Sequence, residues 1–171
     1  LCAIRAFFDY VMTEEPAYME QCILILKIPS MVSPPPLAQY LTPENLKHLL
    51  SMPDTSTPRG RRDLVLLTVL YDTAARVSEL VDISMRDVRL DFPAVITLHG
   101  KGGKIRTVPL MKQTAELLRS YFAENHIDIR RNPDMPLFWN GSRRKLTRSG
   151  ITYIVQKYAD MAQELSSGMP A

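Results

Sequence analysis

The sequence is poor in the residues that staple a fold or ligate a metal. Its two cysteines, Cys2 and Cys22, allow at most one disulfide, and three scattered histidines (His48, His99, His126) give no structural-zinc spacing. Both thiols fall in neighbouring helical patterns and read as small apolar residues of a reducing compartment. No run of about 18 apolar residues is present, which excludes a membrane-spanning helix. There is no Gly-x-Gly-x-x-Gly. The stretch Gly100-Lys101-Gly102-Gly103-Lys104-Ile105 is not a Walker A loop, because Ile105 stands where Ser or Thr would bind magnesium. A serine-nucleophile elbow and a paired-carboxylate site are missing too, since the adjacent Glu14 and Glu15 do not share a helix face. The chain opens in a helical pattern without Met or a signal sequence and is expected to be a fragment.

Net charge is also small, +3 from 21 Lys and Arg against 18 Asp and Glu, yet it is unevenly placed. Residues 1–40 hold Arg5 and Lys27 against Asp9, Glu14, Glu15 and Glu20, a net of −2, so the remainder is +5. From Phe92 to Ala115 there are four cations (Lys101, Lys104, Arg106, Lys112) and no acid. Such a local field attracts polyanions and weakens with salt. A composition of 46% apolar and 23% charged residues is that of a folded protein.

Helical spacing runs through Leu1, Ile4, Phe8, Val11 and Met12, turns at Pro16, and resumes with Met19, Cys22, Ile23 and Leu26. Pro29, Pro34, Pro35 and Pro36 mark an extended linker over residues 29–40. Thr42-Pro43 has the form of an N-cap followed by proline at the first helical position. Pro53 to Gly60 reads as a polar loop, and a longer helix is expected from Arg62, with a break at Asp72 to Ala75 and a further helical turn to Ile83. The period changes at Ala94: Ala94 to His99 and Lys104 to Val108 read as strands around a glycine-rich turn. Helices follow from Lys112 to Glu124 and after Thr147, with Pro133 to Arg144 as a loop between them. The expected class is mainly α with a small antiparallel β-sheet.

Two features could carry chemistry. The hairpin displays Lys101 and Lys104 at a turn that backbone glycines open to a ligand, although a merely solvated basic hairpin has the same pattern. Arg76 stands at the expected break between two apolar helical segments, with Glu79 three residues later. A guanidinium held there could clamp a phosphate with Glu79 orienting it, or the two could form a surface pair of little energetic value.

These two boxes, in this order, resemble the catalytic domain of the tyrosine recombinases, the phage integrase family. Tyr40-Leu41-Thr42-Pro43-Glu44 resembles that domain's opening motif. Arg62 to Leu67 and Asp72 to Leu80 resemble the box around its first catalytic arginine, and His99 to Leu110 resembles the hairpin of its catalytic lysine. Residues 1–28 look like the end of the helical, SAM-like core-binding domain and residues 41–171 like a partial catalytic domain.

The resemblance implies a DNA breaking-rejoining fold that acts on double-stranded DNA without cofactor or metal. It implies a tyrosine that attacks a phosphodiester, leaving a 3′-phosphotyrosyl link and a free 5′-hydroxyl. It makes Arg76 the phosphate clamp, Lys101 the proton donor to the leaving oxygen, and Glu79 the support of Arg76. Lys104, Arg106 and His99 are expected to contact DNA; His99 does not match the family's catalytic histidine. Ala74 stands where the family carries Gly in Thr-Gly-x-Arg, and alanine is expected to take ordinary turn geometry there. The family's His-x-x-Arg box and nucleophilic Tyr do not occur in these residues, and Tyr153 and Tyr158 read as helix residues. The full-length protein is expected in the cytoplasm, dimeric or tetrameric on DNA and unattached to membrane. The fragment alone is expected to bind DNA without cleaving it. The alternative reading is a non-catalytic DNA-binding module or a decayed recombinase.

Overall fold

A computed structural model of the chain describes residues 2–29 and 41–167. Most of the expected linker, together with Tyr40 and the last four residues, lies outside these ranges. The chain divides into two compact units, Leu1–Tyr40 and Leu41–Ala171. The first holds helices α1 (Cys2–Glu14) and α2 (Met19–Leu26), separated by a 3-10 turn at Pro16–Tyr18. Within it, the Arg5 guanidinium donates to the Ile28 carbonyl at 2.6 Å, and Cys22 is buried as a free thiol.

The second unit is mainly helical, with a small antiparallel sheet. Helix α3 (Pro43–Ser51) begins as its sequence dictates: the Thr42 hydroxyl accepts from the Asn45 N–H, and Pro43 occupies a position where no donor is needed. Helix α4 spans Pro58–Thr73, so it starts before the expected Arg62. The reason is a second copy of the same device. Thr57 accepts from the Gly60 N–H at 3.0 Å, and Pro58 takes the first helical position. Gly60 looked like a loop residue but sits inside the helix, where a Cβ would lie 2.0 Å from the Asp54 carbonyl oxygen. Its absence of a side chain lets the preceding turn close on the helix.

Helix α5 (Val77–Asp82) follows the break at Ala74. Strand β1 (Val88–Arg89), too short to show a period of two, was not expected. It pairs with β2 (Val95–His99), which pairs with β3 (Ile105–Pro109), in the order β1-β2-β3. Helices α6 (Lys112–Glu124) and α7 (Arg148–Ser167) complete the unit, the latter capped by Thr147, whose hydroxyl accepts from the Gly150 N–H.

Leu66 and Val69 of α4, Leu80 of α5, Ile96 and Leu98 of β2, Leu118 of α6 and Ile151 of α7 are fully buried together. Each such aliphatic side chain contributes roughly 1.5–3 kcal/mol on leaving water. The loop before α7 joins this core, with Leu137 and Phe138 buried and the Leu137 N–H bonded to the Ile83 carbonyl. That loop thereby braces the C-terminal end of α5.

Candidate phosphate-binding site

The break between α4 and α5 is made by Ala74, whose φ of 46° and ψ of 37° lie in the left-handed region. The expectation of ordinary turn geometry is therefore corrected. The chain reverses its helical hand at one residue to end α4, a position that favours glycine because a Cβ crowds the backbone there. Two residues later Arg76 is extended, with φ −65° and ψ 150°, and serves as the N-cap residue of α5. Its backbone N–H donates to Glu79 Oε2 at 2.9 Å, the acidic half of a capping box. Its guanidinium donates to Glu79 Oε1 at 3.0 Å while its side chain stays 75% exposed. Arg76 is thus anchored at both ends of the residue and open to solvent between them.

The hairpin meets this anchor from the other side. Gly102 and Gly103 have φ of 77° and 74°, so the turn needs two successive left-handed residues. Gly100 has a different reason to lack a side chain: a Cβ there would lie 3.2 Å from Glu79 Oε1. In the β2–β3 register Leu98 stands opposite Arg106, so Arg106 projects to the same face as the buried Leu98. Exposed Ile105 takes the other face. This inverts the usual apolar-in, polar-out alternation.

Glu79 explains the inversion. Arg106 Nη1 donates to Glu79 Oε1 at 3.0 Å, and Arg106 Nη2 donates to Oε2 at 2.9 Å. The Glu79 side chain is 2% exposed and touches both arginines. The Arg106 guanidinium, then the Arg76 N–H and the Arg76 guanidinium, overcome the effect of burial and hold its carboxyl at about 2. At neutral pH Glu79 is an anion at the centre of the site.

An open cleft of about 900 Å³ lies over this centre, lined by Arg76, Glu79, Asp82, His99, Lys101, Lys104, Arg106 and Arg148 among others. Five cationic side chains face two carboxylates, and Asp82 is already bonded to Lys145 at 2.7 Å. The cleft therefore favours an anion strongly. Lys101 and Lys104 are exposed, and neither makes an ion pair among the described residues. A lysine without a partner is a mobile charge, and also a proton donor. The structure thus brings together in one cleft all six residues singled out from the sequence.

Besides the bonded pair Arg76 and Glu79, two of them arrive already engaged. His99 Nε2 lies 2.9 Å from Asp87 Oδ1, and Arg106 is committed to Glu79. Burial pulls the Asp87 carboxyl upward, but the Ser84 hydroxyl, the Ser84 N–H and His99 together hold it below its usual value. Sequence reading missed Asp87, Asp82 and Arg148. Arg148 is the first residue of α7, so the Thr147 cap that fixes the helix start also fixes where this cation emerges. Among the described residues no group of three or more His, Cys, Asp or Glu side chains is arranged to hold a metal.

No tyrosine lines the cleft among the described residues. Tyr158 is buried and donates to Asp63 Oδ2 at 3.1 Å; burial, reinforced by the Asp63 carboxylate, pushes its phenol up to about 12. Tyr121 is buried and its phenol is also pushed up, chiefly by burial. Tyr153 is exposed on α7, away from the cleft lining. These phenols are poor nucleophiles where they stand.

Residues 39–167 match the model of the phage integrase family. The chain belongs to the phage integrase family. This integrase-family chain is 35% identical over 162 residues to tyrosine recombinase XerD of Listeria innocua, covering 93% of this chain and 53% of that protein. It is 31% identical over 157 residues to tyrosine recombinase XerC of Bacillus pumilus, covering 90% and 50%. The solved structure of the XerH site-specific recombinase, bound to its palindromic difH substrate in a post-cleavage complex, aligns with a TM-score of 0.65 at 26% identity, covering 81% of this chain and 41% of that one. The chain thus spans about half the length of the curated relatives it matches. Its mainly helical fold with a three-stranded antiparallel sheet is that of tyrosine-recombinase catalytic domains.

Proposed function

We propose that the complete protein is a tyrosine site-specific recombinase or integrase that cleaves and rejoins double-stranded DNA through a covalent 3′-phosphotyrosyl intermediate. The observation that carries this reading is the joining of the two boxes at one buried carboxylate. Glu79 fixes Arg76 on one side and meets the Lys101 hairpin on the other, beneath a cationic cleft. Arg76 then clamps the scissile phosphate and stabilises the charge that builds on its equatorial oxygens. Lys101 gives its proton to the departing 5′-oxygen, so that the leaving group is a hydroxyl instead of an alkoxide. Lys104 contacts neighbouring backbone phosphate. The covalent link retains the bond energy, and a second 5′-hydroxyl reverses the step.

The attacking tyrosine and the rest of the cationic set come, in this reading, from residues other than these 171. Residues 1–28 belong to the core-binding domain, residues 29–40 link it to the catalytic domain, and residues 41–171 are part of that domain. The protein works in the cytoplasm as a dimer or tetramer on DNA, and no described helix is long and apolar enough to cross a membrane. The 171-residue chain alone binds DNA in a salt-sensitive manner without cutting it. Incubating the complete protein with a duplex nicked beside the cleavage point tests this, because loss of the short product blocks rejoining. A protease-sensitive protein–DNA adduct is the expected product. DNA binding without any adduct would instead establish a non-catalytic DNA-binding module.

A further inference from the structure

Arg106 was expected to contact DNA, but its surroundings assign it different work. Its register opposite Leu98 turns it toward the body of the domain, and both of its terminal nitrogens are spent on Glu79. Arg106 Nη2 also lies 3.4 Å from the carbonyl oxygen of Ala74, the left-handed residue that ends α4. Its side chain is 42% exposed, against 75% for Arg76 on the same carboxylate.

A carboxylate offers about four lone-pair sites. Glu79 receives four donors: the Arg76 guanidinium and Arg106 Nη1 on Oε1, and the Arg76 N–H and Arg106 Nη2 on Oε2. The anion is saturated. One negative charge shared by two guanidiniums leaves a net positive charge. The same anion against Arg76 alone would leave none, and its emptied lone pairs would draw in a second prong of the Arg76 guanidinium.

We propose that Arg106 is a positioning residue: by occupying half of Glu79, it leaves the positive charge of the Arg76 guanidinium uncompensated and outward-facing for the scissile phosphate. This rests on the recombinase reading of the cleft. Arg106 acts through Arg76, and it also ties the hairpin to the α4–α5 break, so that Lys101 and Arg76 approach one phosphate in fixed relation. Gly100, packed against Glu79, is part of the same contact.

The test uses the complete protein, with DNA affinity and single-turnover adduct formation at saturating protein measured separately. Wild type must form adduct for the experiment to be read; if it does not, the recombinase reading itself fails. Given an active wild type, R106Q is expected to bind DNA within about threefold and to form adduct at least about tenfold more slowly even at saturating protein. Adding Glu79→Gln to R106Q removes the unshared anion, and the double variant is expected to be at least about threefold faster than R106Q. A residue that merely supports the fold gives no such recovery. The proposal is overturned if R106Q lowers affinity and the salt slope by about one ion while cleaving normally at saturation, the signature of a phosphate contact. It is overturned equally if the double variant is no faster than R106Q. Should R106Q fail to fold, R106K keeps the charge without the two-pronged contact: a slower rate at saturation supports the proposal, and an unchanged rate overturns it.

Discussion

Glu79 Oε2 accepts the backbone N–H of Arg76 at 2.9 Å while its other oxygen holds the Arg76 guanidinium at 3.0 Å, so one buried carboxylate sets both the helix start and the side chain. The Glu79 carboxyl is held at about 2, against an ordinary value of 4.5, by Arg106, the Arg76 N–H and the Arg76 guanidinium. A depressed folded-state value means that ionised Glu79 stabilises the fold in full above its ordinary value, and that this is lost as pH falls through the depressed one. The stability advantage of wild type over Glu79→Gln is therefore expected to be constant at neutral pH, to shrink from about pH 4.5 downward, and to level off only below about pH 2. Urea melts of the two proteins across this range measure the difference; a gap that stays constant would contradict the arrangement.

Ala74 at φ 46° carries a Cβ where glycine is favoured. Ala74→Gly is expected to stabilise the domain by about 0.5–1 kcal/mol, and Ala74→Val to destabilise it by about 1 kcal/mol or more. Thermal unfolding reads both signs. If glycine lowered the melting temperature, the left-handed assignment would be wrong.

Asp63 of α4 is buried, bonded by Arg62 at Oδ1 and by the Tyr158 hydroxyl of α7 at Oδ2. Removing the carboxylate strands the Arg62 charge, so Asp63→Ala is expected to lower stability by about 3 kcal/mol. Tyr158→Phe loses one hydrogen bond to a charged acceptor and is expected to lower it by about 1.5 kcal/mol. Adduct formation by folded Tyr158→Phe in the complete protein should match wild type. Loss of the adduct in a stable Tyr158→Phe protein would make this phenol the nucleophile after all.

Lys101 and Lys104 flank the same turn, yet they are expected to fail differently. Lys104→Ala should weaken DNA binding and reduce the salt slope by about one, with the cleavage rate at saturation retained. Lys101→Ala should slow cleavage more than it weakens binding. Filter-binding titrations at several salt concentrations, run beside single-turnover cleavage, separate the two. Identical behaviour of the two variants would remove the distinction.

Much of this site was legible because its parts are local. Thr42-Pro43 and Thr147 announce helix starts, the glycine run between β-favouring segments announces the hairpin, and Arg76 with Glu79 falls at a visible break. What could not be read depends on register and on backbone hand. A strand written Ile105-Arg106-Thr107-Val108 does not reveal that Arg106 turns inward, since the deciding partner is Glu79 on a helix 27 residues away. Ala74 conceals the left-handed turn, because a Cβ disfavours that region and glycine is the residue expected there. Gly60 concealed a helix start that Thr57-Pro58 had already signalled. Arg148 and Asp87 join the site only through tertiary packing.

The account rests on Lys101 giving a proton to the leaving 5′-oxygen within a phosphate site held by Arg76. Its most direct test compares two nicked substrates in single-turnover cleavage by the complete protein, one with the natural 5′-oxygen and one with sulfur at that bridging position. A thiolate leaves readily without a proton. Lys101→Ala is expected to be slower than wild type by about a hundredfold or more on the oxygen substrate and nearly as fast as wild type on the sulfur one, whereas Arg76→Ala should be slow on both. A Lys101→Ala protein that is equally impaired on the two substrates would contradict the account.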